Sequence, residues 1–572
     1  ITLVAVFFPI VFMDGMTGKL FREFSLVISG SVIISSFAAL TFTPMLATKL
    51  LIKREKQNWF YRKTEPFFEG INRIYSRSLA AFLKKRWLAL PVIAVTIGII
   101  VFLWGYIPAE MAPLEDRSQI SINTRGAEGV TYEYIRDYTE DINDLVDSII
   151  PDAESVTARV SSGSGNVRIT LKDMKDRDYS QMDVAEELSK AVQKKTMARS
   201  FVQQSSSFGG RRGGMPIQYV LQATNLEKLQ EVLPKFMAKV YENPVFQMAD
   251  VDLKFSKPEA RININRDKAS IMGVSTRNIA QTLQYGLSGQ RMGYFYMNGK
   301  QYEILGEINR QQRNKPADLK AIYVRSDKGD MVQLDNLIEL TNGIAPPKLY
   351  RYNRFASATV SAGLAEGKTI GQGLDEMDKI AKETLDDSFR TALTGDSKEY
   401  RESSSSLMFA FILAIFLIYL ILAAQFESFK DPLIVMLTVP LAIAGALIFM
   451  YFGGITMNIF SQIGIIMLIG LVAKNGILIV EFANQKQESG EDKMNAIKDA
   501  SLQRLRPILM TSASTILGLI PLAFATSEGC NQRIAMGTAV VGGMLISTLM
   551  TMYIVPAIYS YISTNRNKLR ES

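Results

Sequence analysis

Two neighbouring polar residues interrupt a long apolar stretch in the last quarter of the chain. Lys474 and Asn475 follow a run rich in Ile, Leu, Met and Gly that extends back to Phe460, and the apolar sequence GILIV separates them from Glu481. A charge at the centre of a membrane-spanning helix costs about 2.5–3.5 kcal/mol on insertion scales. Ionisable groups kept at such a cost are typical of proton and ion pathways, so Lys474 is the first candidate functional residue.

The chemistry open to a lysine inside a membrane is ion pairing with a carboxylate. A buried ammonium is stable only when it is paired, and its charge lowers the pKa of the partner carboxylate. Protonation of that carboxylate releases the lysine. Proton binding can therefore shift the equilibrium between two states, one with the ion pair and one without it. The alternative is that the Lys474 side chain extends to the membrane interface, and its position in the middle of the apolar stretch argues against this.

The elements that must position this lysine are apolar segments long enough to cross a bilayer. The chain has 572 residues, of which 48% are hydrophobic, and a mean hydropathy of +0.09. A shorter apolar stretch, ITLVAVFFPIVFM, opens the chain. The apolar segments near or above the roughly 18–20 residues that span a membrane are 25–48, 87–106, 407–424, 433–452, 459–483, 507–526 and 534–561. They predict a polytopic α-helical membrane protein.

Basic residues beside these segments predict the orientation of the chain. They concentrate in 49–56, 84–86 and 486–506 and close the chain after residue 565. The positive-inside rule makes these segments cytoplasmic, and residues 107–400 then lie on the far side of the membrane. The net charge of +8 therefore follows membrane topology and does not indicate nucleic-acid binding.

Several function classes find no support in the residues. Cys530 is the single cysteine and there is no histidine, so disulfides within the chain and histidine metal sites are excluded. The sequence contains no GxxxxGK[ST] loop, no nucleophile–base set and no metal-ligand spacing. We therefore expect no enzymatic activity, no cofactor and no bound metal.

Residues 115–400 have the composition of a soluble domain and alternate strand and helix patterns. Strands SQISINT, ESVTARV, NVRITL and RSFVQQ, with helices at 130–148 and 181–198, predict a βαββαβ unit of the ferredoxin-like type. A second unit begins with strand IQYVLQA and is completed only at 357–364 and beyond, so 259–346 is interpreted as an insertion. The predicted fold class is thus a helical membrane protein with an α+β domain of ferredoxin-like subdomains.

An internal repeat and one amphipathic segment add to this organisation. Residues 59–83 carry apolar residues at helical spacing and predict a helix that lies on the cytoplasmic membrane surface.

The start and the end of the chain resemble each other when they are aligned without gaps at an offset of 512 residues. Pro9 then matches Pro521 and Pro44 matches Pro556; chance alignment is the alternative to a true repeat. Repeated halves are common in transporters. We therefore expect the chain to be the C-terminal part of a longer protein, with adjacent acidic residues about 38 positions before its start, at the symmetry mate of the lysine.

The sequences GLVAKNGILIVEFA, LRPILMTS and PLAIAGAL, with the split two-unit domain, resemble the resistance–nodulation–division transporters. The closest branch is the hydrophobe/amphiphile, AcrB-like drug-efflux branch, from its fifth transmembrane helix to its C-terminus. The resemblance implies a proton-driven antiporter of the bacterial inner membrane with a large periplasmic domain. It also implies a homotrimer that works with a periplasmic membrane-fusion adaptor and a TolC-like outer-membrane channel on small amphiphilic substrates, driven by the proton-motive force.

The resemblance also assigns site residues. The family's transmembrane lysine corresponds to Lys474, and an arginine and a threonine of the next helix correspond to Arg504 and Thr511. Two adjacent aspartates that complete the family's proton relay are not in this chain. Asn475 is either a member of the relay or an amide that packs helices. Arg504 could instead be a cytoplasmic anchor, as Arg506 is expected to be, and Thr511 could bond its own helix backbone.

The resemblance further divides the chain into domains. The expected divisions are 1–50 (transmembrane helices, the family's fifth, partial, and sixth), 51–86 (cytoplasmic linker with the amphipathic helix), 87–106 (transmembrane helix), 107–206 (periplasmic porter subdomain 1), 207–258 with 347–400 (porter subdomain 2), 259–346 (funnel or docking subdomain), 401–562 (five-helix transmembrane bundle) and 563–572 (cytoplasmic tail).

Two departures from the family pattern leave the substrate open. The stretch that corresponds to the family's Phe/Gly-rich switch loop, 161–173, contains no phenylalanine. Phe208 is a candidate pocket residue, although the linker 205–216 that carries it could simply be a mobile connection. The 26 methionines raise heavy-metal efflux as an alternative. A non-transporting membrane scaffold is the other alternative, and the charge of Lys474 argues against it.

Overall fold

Long apolar helices, two larger antiparallel sheets and three two-stranded ones make up the computed structural model, which describes residues 2–12, 15–50, 59–204, 215–346, 348–365 and 367–564. The described α-helices are α1 Thr2–Phe7, α2 Gly15–Leu50, α3 Trp59–Lys84, α4 Ala89–Tyr106, α5 Tyr132–Ile149, α6 Gln181–Gln193, α7 Leu226–Glu242, α8 Arg266–Ile271, α9 Thr276–Leu287, α10 Ile370–Thr384, α11 Gly395–Phe426, α12 Asp431–Met436, α13 Thr438–Phe452, α14 Ile459–Glu488, α15 Lys493–Ala523 and α16 Cys530–Ile562. The strands are β1 Gln119–Arg125, β2 Ser155–Ser161, β3 Ser164–Thr170, β4 Arg199–Gln204, β5 Ile217–Ala223, β6 Phe246–Val251, β7 Lys257–Ile264, β8 Gln290–Met297, β9 Lys300–Gly306, β10 Tyr323–Arg325, β11 Met331–Gln333, β12 Ile338–Ala345, β13 Tyr350–Tyr352, β14 Phe355–Leu364 and β15 Arg390–Leu393.

Within the described residues, seven helical segments are long and apolar enough to cross a membrane. Each of them overlaps one of the seven apolar segments predicted from the sequence, so the prediction of a multi-pass membrane protein is confirmed. Helix α11 starts at Gly395, directly after β15, and runs through a polar first third into its apolar part. This helix therefore continues from the sheet-containing region into the membrane-type bundle without a break.

Glycines allow the bundle helices to approach closely. A Cβ atom built at Gly445 of α13 would lie 2.9 Å from the backbone oxygen of Gly542 in α16. One built at Gly464 of α14 would lie 2.9 Å from the backbone oxygen of Met536, also in α16. Small residues at helix contacts are the usual means of close packing in membranes, and α16 packs against α13, α14 and α15.

The first sheet contains strands β1 to β4 in the order β2–β3–β1–β4, all antiparallel. Helices α5 and α6 cover one face, and the core between them includes Ile120, Ile122, Tyr138, Ile142 and Leu188, all buried. The succession of elements along the chain is βαββαβ, as the alternating patterns predicted.

The second sheet has the equivalent order β6–β14–β5–β15, with β13 paired to the start of β14. Strand β5 pairs with β14, so the chain on either side of residues 259–346 meets in one sheet. The intervening residues have their own small core, and they form the β7–β12 ladder, the β8–β9 hairpin and the β10–β11 pair.

The amphipathic helix α3 packs one face on the bundle. Tyr75, Leu79 and Leu83 are buried in it, and the Tyr75 hydroxyl donates to the backbone oxygen of Met552 at 2.7 Å. Ile74 on the other face is 71% exposed.

The two prolines of the repeat that lie near the C-terminal parts of long helices occupy matching positions. Pro44 lies inside α2 and Pro556, 512 positions later, lies inside α16.

Candidate functional site

Lys474 is the sixteenth of the 30 residues in α14, so the structure places it at the centre of this helix. The helix starts cleanly because Asn458 caps it: the side-chain oxygen of Asn458 accepts hydrogen bonds from the backbone of Phe460 and Ser461 at 3.0 Å each. After Ser461 and Gln462 the helix is apolar until Lys474. We refer to α14 as the lysine helix.

The Lys474 side chain lies on the exposed face of the lysine helix. Met467, Leu471 and Leu478 are half-buried on the same face, because residues three and four positions apart share one side of an α-helix. None of the ion pairs formed by the described residues includes Lys474. The lysine helix thus presents its charge on a face that the described helices do not cover.

Asn475, the next residue, points the opposite way into the bundle and is buried. Its side-chain amide donates to the Ser512 hydroxyl of α15 at 3.2 Å and to the Thr548 hydroxyl of α16 at 3.4 Å. The two hydroxyls are themselves 3.2 Å apart. Three helices therefore meet at one polar triangle directly behind Lys474.

Thr511 does not join this triangle. Its hydroxyl donates to the backbone oxygen of Ile508 in its own helix at 3.2 Å, which is a common arrangement for threonine in membrane helices. Ser512, the next residue, was missed by sequence reasoning. Its signal is the helical spacing that places Ser512 on the same buried face of α15 as Leu505 and Ile508.

The side chains of Arg504 and Arg506 contact different helices. The Arg504 guanidinium lies 4.4 Å from the centre of the Phe482 ring on the lysine helix, and its Nε is buried without a hydrogen-bond partner among the described residues. Arg506 pairs with Glu65 of α3 at 2.9 Å and lies over the Phe68 ring. Arg504 therefore faces the lysine helix, whereas Arg506 fastens the amphipathic helix to the bundle.

A second buried polar cluster lies towards the end of the lysine helix. The Asn484 amide donates to the Asp431 carboxylate at 3.1 Å, and the Tyr559 hydroxyl donates to the Asn484 oxygen at 2.6 Å. Gln487 donates to the same hydroxyl at 2.7 Å. This cluster links α12, α14 and α16 and was not found from the sequence, because its members are up to 128 positions apart.

A cleft of about 730 Å³ opens between the first and second sheets. The Asp250 carboxylate in its wall lies 3.1 Å from the Arg125 guanidinium, 3.5 Å from that of Arg199 and 3.1 Å from the Lys254 ammonium. The apolar side chains in the lining include Leu233, Pro234, Met237, Val251, Leu253 and Phe255. The cleft thus combines a charged wall with an apolar one.

Phe208, the candidate pocket residue, lies outside the described residues. The stretch 161–173 turns at Gly163 and forms the end of the β2–β3 hairpin. Among the described residues that line the cleft, none belongs to this stretch.

Known proteins of one transporter family match this chain over nearly its whole length. A family model described as the AcrB/AcrD/AcrF family matches residues 1–563. An uncharacterized transporter of Haemophilus influenzae is 30% identical over 581 aligned residues, which cover 100% of this chain and 56% of that protein. The chain spans about half the length of this curated relative.

Proposed function

The chain belongs to the AcrB/AcrD/AcrF family of transporters, and from this premise we propose that its protein exports hydrophobic or amphiphilic compounds in exchange for protons. The proposed setting is the bacterial inner membrane. The two sheets are proposed to be ferredoxin-like porter subdomains in the periplasm, and residues 259–346 a docking subdomain. The proposed assembly is a homotrimer that works with a periplasmic adaptor and a TolC-like outer-membrane channel.

The observation that carries this proposal is the position of Lys474. A charge at the centre of an apolar helix needs a counter-charge, and Lys474 lies on the face of the lysine helix that the described helices leave uncovered. An acidic partner from outside the described residues would complete an ion pair there. Proton binding to that partner would release the lysine and let the lysine helix move.

The surroundings of Lys474 suit a relay of this kind. Asn475 holds the lysine helix against α15 and α16 on the covered side, and Arg504 reaches the same helix about two turns from Lys474 through Phe482. The Arg504 Nε, buried without a hydrogen-bond partner in the described ranges, is suited to a carboxylate acceptor. We therefore propose Lys474, Arg504 and Asn475 as relay residues, with Thr511 a candidate from the family resemblance.

The cleft between the two sheets supports the proposed substrate class. Its volume of about 730 Å³ lies within the range of roughly 300–1,000 Å³ that is usual for small-molecule sites. Its lining combines apolar side chains such as Leu233 and Met237 with three cations around Asp250. Such a lining suits molecules that carry both an apolar body and a polar or charged end.

An accumulation assay with the full-length protein tests this proposal. The protein would be expressed in a bacterial host without exporters of this family, and the fluorescent amphiphile ethidium would be the probe. We expect wild type to keep ethidium out, a protonophore to abolish this, and Lys474→Ala to accumulate ethidium like the empty host. Lys486→Ala, a lysine near the end of the same helix that pairs with Glu491, is the matched control and should behave as wild type. Wild-type export by Lys474→Ala would overturn the proposal.

A further inference from the structure

A short connector, residues 107–118, joins helix α4 to strand β1 and lies against the start of the lysine helix. It pairs with residues 457–459 through backbone hydrogen bonds and a parallel bridge between Ala109 and Met457. The bonds are Met457 N to Pro108 O (2.8 Å), Glu110 N to Met457 O (3.0 Å) and Ile459 N to Met111 O (3.2 Å). The connector is therefore fastened to the backbone that leads into the helix of Lys474.

Glu115 of the connector fastens it to a second helix of the bundle, α16. This residue is only 1% exposed, and its two carboxylate oxygens accept hydrogen bonds from the backbone of Gln532 at 2.8 Å and of Asn531 at 3.3 Å. Both donors belong to the first turn of α16, where a carboxylate satisfies free N–H groups and the helix dipole. The Asn531 side chain returns a bond to the Leu114 backbone oxygen at 2.7 Å.

Asp116, the adjacent residue, faces the opposite way and fastens the connector to the first sheet subdomain. Its carboxylate pairs with Arg177, whose side chain is fully buried. It also accepts a hydrogen bond from the backbone of Gln181 at the start of α6, at 2.9 Å. Of these two neighbouring carboxylates, Glu115 therefore contacts a bundle helix, whereas Asp116 contacts the subdomain formed by β1 to β4.

The same bundle helix contacts the polar triangle behind Lys474. Helix α16 carries Thr548, whose hydroxyl accepts from Asn475 of the lysine helix at 3.4 Å. Displacement of the lysine helix would therefore act on the connector by two routes, directly through the start of α14 and indirectly through α16. Buried, fully bonded contacts of this kind transmit displacement because packed elements have discrete arrangements.

We propose that the connector is the rigid coupling between the proton relay and the first sheet subdomain, and that Glu115 is the positioning residue that holds it to α16. The inference rests on the proposed function. In this proposal Glu115 contacts neither the proton nor the substrate. It makes the subdomain move when the bundle moves. A flexible connector would instead let the bundle move without the subdomain.

The test separates proton movement from export in full-length protein reconstituted in proteoliposomes. Ethidium transport and the dissipation of an imposed pH gradient would be measured on the same vesicles. Glu115→Ala should lower export at least about tenfold, the scale of one lost charge-assisted hydrogen bond, while gradient dissipation continues. Glu115→Gln keeps one acceptor oxygen and should retain part of the export. Glu140→Ala, a change of an exposed carboxylate in the same subdomain, should alter neither.

The results distinguish a coupling role of Glu115 from a purely structural role. Equal losses of export and proton movement in Glu115→Ala, at matched thermal stability and membrane insertion, would show a purely structural residue and overturn the inference. If Glu115→Ala does not insert, Asn531→Ala provides the same comparison with a smaller effect, because it removes the bond to Leu114 and a weak contact with the Cys530 thiol but keeps Glu115. A wild type that exports while neither variant is affected overturns the inference alone. A wild type without proton-coupled export overturns the proposed function and this inference with it.

Discussion

The side-chain amide of Asn475 lies 3.2 Å from the hydroxyl of Ser512, while its neighbour Lys474 is exposed on the other side of the same helix. One dipeptide therefore places a bonded amide inside the bundle and a charge outside it. The amide fixes the rotation of the helix about its axis, because turning it would break bonds to two other helices. Fixing that rotation keeps the lysine on the face that the described helices leave uncovered.

The polar triangle predicts a contrast between adjacent residues of α15. Ser512→Ala removes a hydroxyl that contacts both Asn475 and Thr548, so we expect a loss of about 1 kcal/mol in stability, given about 0.6 kcal/mol for an average hydrogen bond between membrane helices. Thr511→Val removes only a bond to its own helix backbone and should change stability less. Thermal unfolding of the purified full-length variants measures both; equal effects would contradict the assignment.

The Arg504–Phe482 contact predicts an energetic coupling between α15 and the lysine helix. A guanidinium over an aromatic ring contributes from about 0.5 kcal/mol at exposed sites to about 2 kcal/mol when desolvated. A double-mutant cycle of Arg504→Gln and Phe482→Leu should therefore give a coupling energy near 1 kcal/mol. A coupling energy of zero in denaturation experiments would show that the two side chains do not stabilise one another.

The helix contacts predict opposite results for two glycine substitutions. Gly464→Ala puts a methyl group 2.9 Å from the Met536 backbone oxygen, so we expect α14 and α16 to separate slightly at a cost of about 1–3 kcal/mol. Gly518→Ala is the matched control, since nothing lies within 4 Å of its added Cβ. It should leave the melting temperature unchanged or raise it slightly. The melting temperatures of the two variants measure these effects. A lower melting temperature for Gly518→Ala alone would contradict the observed helix packing.

The connector predicts a pH-dependent stability difference at Glu110. Burial raises the pKa of the Glu110 carboxyl above its ordinary value of 4.5, and a hydrogen bond from Thr456 offsets part of the rise. The stability that protonated Glu110 contributes is therefore present below pH 4.5 and is lost as the pH rises through the raised pKa.

Glu110→Gln cannot ionise and keeps an oxygen that accepts from Thr456. We expect this variant to be more stable than wild type near neutral pH, with the difference shrinking towards about pH 4. Melting temperatures at both pH values measure it. A constant difference across the range would mean that the carboxyl does not titrate with an altered pKa in the folded protein.

The sequence was sufficient for the elements that depend on local pattern. Apolar length predicted the seven helical segments, and alternating periodicity predicted strands such as Arg199–Gln204 and Ile217–Ala223 at their observed bounds. It was less successful where burial is weak. Strand β8 was not predicted, because Met292, Tyr296 and Met297 are exposed and the strand has no buried face to set a period. The helix predicted at 181–198 was too long, since it ends at Gln193 before the basic and polar sequence KKT.

The site could be predicted only in part for a related reason. Lys474 was evident because a charge in an apolar run has few explanations. Ser512 and the Asp431–Asn484 bond depend on how helices rotate and cross, which no local pattern encodes. Glu115 and Asp116 are an ordinary acidic pair in the sequence, and only the packing shows that they face in opposite directions.

The proposed role of Lys474 is tested most directly by the rate at which the reconstituted full-length protein dissipates an imposed pH gradient when ethidium is added. We expect ethidium to accelerate dissipation in wild type and in Lys486→Ala. We expect no acceleration in Lys474→Ala, because this variant lacks the ammonium group that is proposed to respond to protonation of an acidic partner. Ethidium-stimulated dissipation at the wild-type rate in Lys474→Ala would show that Lys474 does not couple proton entry to export.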